Sequence, residues 1–495
     1  MNKKTLIIIG GGTAGLTIAS QLHRHYRVIV LEKSRSRRYP LLYKIPLMIG
    51  LLFRSNTQPY IGSRDLDLAW GRTIPFFESK VLGGASVING CVHTIGSNIL
   101  WQRILQKFNA NYSEILDAFS SLYSLDSSVK NKIHLVLASQ NQIDQAFLET
   151  MERKDIPIGD TNFSNNQNCG PIINTTKKLF RSSVLSLLKI KNLDLRLGQE
   201  VNQFITSADG RRVVGVTTNN GDIAAEHVIL AGGVIGTCDL LLREKKRAIS
   251  VTNTNLGDIN IGNGLQDHVN LRVNILANQN VGTLNEISCS FIKKMALLFK
   301  HCLGIPTFMV GTGATSAAHL DLNGDGLVDT RIQIVQFTET GRHGSDGKYF
   351  HNDPGFSLSI NPINPESKGN ISLGPDGLNI KPDYLSNPRD IELLKAALTY
   401  CLTLLRSEPL SNYVKVILNQ DQIENDPEAY IRNNVFSGHH LIGGAQDAVD
   451  QNFMVKGVGG LSICDASIFD GYAASNIHSS VVLIANIFSK RFLTL

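Results

Sequence analysis

The stretch Leu6-Ile7-Ile8-Ile9-Gly10-Gly11-Gly12-Thr13-Ala14-Gly15 decides the reading of the fold. Leu6 to Ile9 is an apolar run without alternation, the pattern of a strand buried on both faces. It enters a GxGxxG turn. Gly10 permits the tight turn, Gly12 lets a pyrophosphate approach the backbone, and Gly15 lets the next helix pack close to the strand. From Ala14 to His25, helical spacing puts Ala14, Ile18 and Leu22 on one face. A second apolar strand, Val28 to Leu31, ends in Glu32, at the spacing where a carboxylate accepts hydrogen bonds from an adenosine ribose. A lone GxGxxG is weak evidence, but strand, turn, helix, strand and acid in register predict an α/β, Rossmann-like dinucleotide-binding domain. The acid favours FAD or NAD over NADP.

A chain of 495 residues has room for two or three domains. The net charge of +6 is mild, and the short basic clusters at 35–38 and 243–247 read as solvated faces, so nucleic acid is not an expected partner. Seven cysteines are widely spaced without a CxxC pair, which argues against a disulfide framework or a zinc site and favours a reducing compartment. Met1 to Lys4 followed by Leu6 to Ile9 mimics a signal peptide, but the apolar part is short and runs into the glycine turn. No transmembrane segment is expected, and cytoplasmic localisation is the default.

From Lys33 to Trp70 the sequence is irregular, with an apolar patch from Leu47 to Phe53, either a packed connection or a cover over the nucleotide. Leu82-Gly83-Gly84-Ala85-Ser86 leads on to Asn89 and Gly90, a second small-residue turn able to bring N–H groups against a phosphate or a ring edge. Leu193 to Leu197, Val213 to Thr217 and His227 to Leu230 read as strands of the nucleotide-binding domain. Thr330 to Phe337 and Gly355 to Asn361 alternate as strands do, and Asp390 to Leu405 has helical spacing. Asp321 to Asp329 looks like the front of an EF-hand loop, yet Ile332 occupies the position that needs a bidentate Glu, so a plain turn is the expectation and no metal is assigned.

Val81 to Gly90 contains LGGASVING, which resembles the LGGxSxIN signature of the GMC (glucose–methanol–choline) flavin oxidoreductases. Gly262 to His268 resembles that family's GxNLQDH, and Pro365 to Gly369 its PxSRG with Lys in place of Arg. His440 to Ser467 resembles HPxGT…VxGxxxLRVxDAS. With the opening glycines, five motifs in family order span nearly the whole chain. The resemblance implies an FAD-binding domain from 1–100, 180–269 and 437–495, and a substrate-binding domain from 101–179 and 270–436 built on an antiparallel sheet.

It further implies that FAD meets Gly10, Gly12, Thr13, Ala14, Gly15 and Glu32, then Leu82, Gly83, Gly84, Ser86, Asn89 and Gly90. Val201, Ala231, Gly232, Asp465, Ala466 and His478 complete the set. Ile88 stands where some members carry the histidine that links FAD, so a non-covalent cofactor is expected. His440, the His of HPxGT, becomes the general base, and His478, in Asn476-Ile477-His478, its hydrogen-bonding partner on the substrate. An imidazole titrates near neutrality and can take the alcohol proton while a hydride leaves carbon for flavin N5. His439 is expected to be structural or pocket-lining, and the resemblance gives His268 packing and hydrogen bonding without a chemical role. The expected activity is oxidation of an alcohol to a carbonyl, with O2 or another acceptor reoxidising the flavin. The alternative is a redox-neutral FAD-containing lyase of the hydroxynitrile lyase type, since Gly443-Gly444 after the His is shared with those enzymes.

Overall fold

The computed structural model describes residues 3–36, 40–48, 61–68, 70–188, 193–250, 255–278, 280–305, 307–339 and 350–494. The apolar run becomes the strand Thr5–Ile9, the centre of a five-stranded, wholly parallel sheet. Its order is Asp194–Leu197, Arg27–Glu32, Thr5–Ile9, His227–Leu230 and Leu461–Ile463. Buried on both faces, Ile7, Ile8, Val30, Ile229 and Leu461 have almost no exposure, which is why these strands read as continuous apolar runs. Chain order reverses on either side of the first strand, the doubly wound arrangement in which ligands bind beyond the strand carboxyl ends. Gly10, Glu32, Ala231 and Asp465 all lie at those ends.

Two glycines have steric reasons to be there. Gly10 has φ +109°, and a Cβ on Gly15 would stand 2.0 Å from the Gly10 carbonyl oxygen. The helix Thr13–Leu22 therefore touches the preceding turn through bare backbone.

The second sheet is antiparallel. Val414–Ile417, Val269–Ala277, Gly355–Pro362, Thr330–Val335, Ala314–Leu320 and Asn168–Pro171 lie side by side. Its two faces differ, as period-two alternation requires. Val273, Ile332, Ile334, Leu358 and Ile360 pack into one apolar core with Leu394, Ala397 and Leu398 of the helix Pro388–Leu405. Asn387 starts that helix by accepting the Arg389 N–H, with Pro388 in the first turn. Asn270, Arg272, Arg331, Gln333 and Asn361 lie on the opposite face and line a cavity.

Val213–Thr218 is a strand, but it belongs to a separate antiparallel sheet with Val201–Thr206 and Gly221–Ala224. Its short connection to Gly221 closes a hairpin, whereas a parallel neighbour would need a long crossover. The helices Asn98–Gln106 and Tyr112–Leu122 contribute Trp101, Ile104, Leu105 and Ile115 to the core of the parallel sheet, while Ile143 and Phe147 belong to the other core. We therefore propose counting 98–122 with the nucleotide-binding domain, past the boundary expected at 101. Of the apolar patch from Leu47 to Phe53, residues 49–53 lie outside the described residues, as do Arg37 and Arg38, while Leu47 and Met48 line the cavity.

The contact of Gly15 with Gly10 gives a test of this packing. Gly15→Ala forces helix and turn apart and is expected to cost about 3 kcal/mol or more, beyond ordinary overpacking because the clash is with backbone. A urea midpoint equal to that of the parent protein would refute the close approach.

Candidate active site

One cavity of about 1410 Å³ runs between the carboxyl ends of the parallel strands and the polar face of the antiparallel sheet. A usual small-molecule site holds roughly 300–1,000 Å³, so this space accommodates a dinucleotide and a further small molecule together. At its far end are Glu32, Gln199 and Val201. Glu32 accepts N–H groups from Gly11 (2.8 Å) and Ser34 (2.7 Å), which fixes its carboxylate beside the glycine turn.

The middle of the cavity is shaped for an anion. No side chain caps the helix Thr13–Leu22, its first turn holds no acidic residue, and the buried Thr13 Oγ1 has no hydrogen-bond partner. These free donors meet a gap between two glycines. A Cβ on Gly12 would point at the Gly84 Cα 3.9 Å away, and one on Gly84 would come within 2.8 Å of the Gly12 Cα. A pyrophosphate fits there, with the helix N-terminus supplying N–H groups and positive potential. On these grounds the residues present fit FAD.

Of the expected cofactor residues, Gly10, Gly12, Thr13, Ala14, Glu32, Gly84, Asn89, Gly90, Val201, Ala231, Gly232, Asp465, Ala466 and His478 line this one cavity. Gly15, Leu82, Gly83 and Ser86 stand behind its wall. Gly83 N–H donates to the Gly11 carbonyl at 2.8 Å, and Ser86 Oγ to the Gly83 carbonyl at 2.7 Å, so these residues splice the two glycine turns together. Asp465 accepts from Gly233 N–H (2.9 Å), Thr237 Oγ1 (2.5 Å) and Ser467 N–H (2.8 Å), joining two turns of the wall.

At the near end His440 is held by a line of hydrogen bonds whose polarity can be worked out from its ends. The Ile363 carbonyl only accepts, so His268 Nε2, 3.3 Å away, carries a proton and donates. His268 Nδ1 is then an acceptor and takes the Nδ1–H of His440 at 3.0 Å. From the other end, the Arg331 guanidinium only donates, and it gives Nη1–H to Asn476 Oδ1 at 2.7 Å. This turns the Asn476 amide nitrogen toward His440 Nε2 at 3.2 Å. Both ends agree: His440 carries its proton on Nδ1 and presents a lone pair on Nε2. The Asp267 carboxylate fixes the backbone, accepting the His440 N–H at 2.7 Å together with the hydroxyls of Tyr384 and Ser437, each at 2.5 Å.

Electrostatics act in the same direction. Burial, with the Arg331 charge adding to it, pushes the His440 pKa down to about 3, and burial with the nearby Arg181 takes His478 to about 4. Both imidazoles are neutral at pH 7. His478 lines the cavity, its Nε2 buried without a protein partner, and the side chain on His440 Nε2 is Asn476, two residues upstream. His439 sits beside the rings of Phe76 and Phe77 at the cavity wall.

Sequence reasoning missed Arg331 and gave no role to Asp267 or Asn476. Asp267 and Asn476 were inside quoted motifs. Arg331 had a readable signal too, a charge on the face of an alternating strand that it shares with Gln333. At the EF-hand-like stretch, the oxygens of Asp321, Asp325 and Asp329 accept the loop's own N–H groups, as in a plain turn. Among the described residues no group of three or more His, Cys, Asp or Glu is placed to hold a metal, and no helix is long and apolar enough to cross a membrane.

Residues 5–270 and 365–485 match the two family profiles described as GMC oxidoreductase. Among curated proteins, the chain is 24% identical to an oxygen-dependent choline dehydrogenase of Photobacterium profundum, covering 97% of this chain and 91% of that one. It is 25% identical to an alcohol dehydrogenase [acceptor] of Pseudomonas putida, covering 97% and 94%. Among solved structures, pyridoxine 4-oxidase from Mesorbium loti superposes with a TM-score of 0.82 at 18% identity, over 99% of each chain. A formate oxidase from Aspergillus oryzae gives 0.85 at 16%, over 100% and 99%.

The buried histidines make stability depend on pH. His93, His319 and His440 are lowered to about 3, and His227 and His478 to about 4, from 6.5. Their contribution is complete above pH 6.5 and is lost as the pH falls, because the unfolded chain takes up these protons first. Asp144 and Asp267, raised to about 6, act oppositely between pH 6 and 4. His134 and His268 are lowered as well, and Asp329 and Asp465 are raised, so seven histidines outweigh four carboxylates and the melting temperature is expected to drop by roughly ten degrees between pH 7 and 5. A flat profile over that range would refute neutral burial of these rings.

Proposed function

Since the chain belongs to the GMC oxidoreductase family, FAD flavoproteins acting on CH–OH donors, we propose that it oxidises an alcohol to a carbonyl with His440 as general base. The observation that carries this reading is the tautomer of His440, a cavity-lining residue whose Nε2 lone pair is fixed from both ends of its hydrogen-bond line and engages only the Asn476 amide. A base must be unprotonated and within reach of the hydroxyl, and both burial and the neighbouring cation keep this imidazole neutral.

FAD supplies the two-electron acceptor when bound. Glu32 would hold its adenosine ribose, the Gly12–Gly84 gap and the Thr13–Leu22 N-terminus its pyrophosphate, and Asn89, Gly90 and Ala466 its ring, without a covalent link. The protein's part is then to orient the alcohol and take its proton. The alcohol hydroxyl takes the place of the Asn476 N–H on the His440 Nε2 lone pair and gives that nitrogen its proton, and the released Asn476 amide can then hold the oxygen while charge develops on it. The electrons pass on to O2 or another acceptor.

The test is the flavin absorbance of the purified protein, followed anaerobically during additions of a panel of alcohols. Bleaching supports the reading, and return of colour in air identifies an oxidase; a flavin that dithionite reduces but no alcohol bleaches would overturn it. His440→Ala should retain FAD and slow bleaching by about 10²–10⁴-fold. With the base lowered to about 3, kcat/KM should stay level from about pH 8 to 5.5. A base of ordinary pKa would by then have lost about tenfold.

A further inference from the structure

The substrate end of the cavity contains a cation without a counter-ion. Arg331 is 6% exposed, lines the cavity, and gives one hydrogen bond, to Asn476 Oδ1. Its Nε–H has no acceptor, and no carboxylate among the described residues pairs with it. The contrast lies on the same sheet face, where Arg272 pairs with Glu339 at 2.8 Å. Burial lowers the Arg331 pKa to about 10, so the guanidinium is still charged at neutral pH. Enclosing a guanidinium without an anion is unfavourable unless an anion arrives to share the site.

We propose that Arg331 determines specificity by binding a carboxylate carried by the alcohol, so that the substrates are hydroxy acids whose carbinol carbon lies only a few bonds from the carboxylate. This rests on the alcohol-oxidising reading above and names its substrate class. The spacing follows from the line of hydrogen bonds. Only the Asn476 carboxamide separates the guanidinium (2.7 Å) from His440 Nε2 (3.2 Å), so a carboxylate held from the cavity by the Arg331 guanidinium leaves a 2- or 3-hydroxyl within reach of the base. A guanidinium is planar and offers paired donors, which suits a carboxylate better than a single ammonium would. The carboxylate is a handle and is unchanged by the reaction.

Two measurements on the oxidised and reacting holoenzyme test this. First, inert pairs such as acetate and acetamide, or benzoate and benzamide, are titrated while flavin absorbance is followed. The carboxylate should bind at least about 30-fold more tightly than its amide, with Arg331→Met abolishing the difference and Arg331→Lys keeping part of it. Second, a panel of 2- and 3-hydroxy acids is compared with their methyl esters in anaerobic flavin reduction. The acid should lead by about 100-fold in kcat/KM for the parent protein and by little in Arg331→Met, because the acid loses far more than the slowing it shares with the ester through Asn476 and His440.

Equal binding of acid and amide would overturn the proposal. So would Arg331→Met slowing acid and ester by the same factor, the result expected if Arg331 only orients Asn476. Should Arg331→Met fail to retain FAD, Arg331→Lys carries the test through an acid-to-ester ratio lowered about tenfold. The titration needs no turnover, so carboxylate binding by a protein that no alcohol reduces would count against alcohol oxidation and leave the role of Arg331 standing.

Discussion

The arrangement around His440 depends on a hydrogen-bond line that is unambiguous only at its ends. A backbone carbonyl at Ile363 can accept and a guanidinium at Arg331 can donate, and between them lie two imidazoles and a carboxamide, each able to turn either way. With both ends fixed, every proton between them has one place. The residues come from distant parts of the chain: Ile363 follows one sheet strand, His268 precedes another, Arg331 lies on a third, and Asn476 immediately precedes the helix Ile477–Phe492. The parallel and antiparallel sheets must therefore meet in one geometry for the base to have its lone pair in the cavity. Asp267 adds the backbone restraint by holding the His440 N–H. Removing any member leaves a buried polar neighbour unsatisfied, which typically costs about 1–3 kcal/mol, so the line also helps hold the two halves of the protein together.

Much of this was legible in the sequence. The parallel sheet was readable because burial on both faces leaves uninterrupted apolar strands, and because the glycine turns between them answer to close backbone contacts that no other residue tolerates. Gly10 and Gly15 are explained by contacts within their own turn, so the signal is local. The helix Pro388–Leu405 was equally plain from its spacing and its Asn387-Pro388 start. Val213–Thr218 was recognised as a strand, yet its sheet was not, since alternation gives a strand's faces and says nothing of its neighbours.

The site was less legible, for a related reason. Motif resemblance brings His440 and His478 to one cavity, while the contact that Asn476 makes on His440 Nε2 depends on where the helix N-terminus is placed, which no motif states. Arg331 belongs to no recognised motif. Its importance comes from the lack of a nearby acid, and pairing across a sheet cannot be read along a strand. His268, expected to pack and to hydrogen-bond, is stacked on Tyr472 with ring centroids 3.8 Å apart. It is also the group that settles the His440 tautomer.

The same burial has opposite consequences for the two kinds of basic side chain in this site. A histidine begins at 6.5, and enclosure takes it well below neutrality, so His440 and His478 are uncharged. An arginine begins so high that a comparable penalty leaves Arg331 at about 10 and fully ionised. The cavity thus combines an uncharged base with a permanent positive charge, separated by one carboxamide. Each depends on the other, because the charge on Arg331 further disfavours a proton on His440 and so keeps the base free. Among the described residues no carboxylate pairs with that charge in turn, and Gln333 and Asn361, which share its face, bring dipoles. Positive potential at the place where an alcohol gives up its proton lowers the energy of the negative oxygen that results. It also draws in any anion the alcohol carries, so in this pocket the chemistry that activates the substrate and the charge that selects it have a common source.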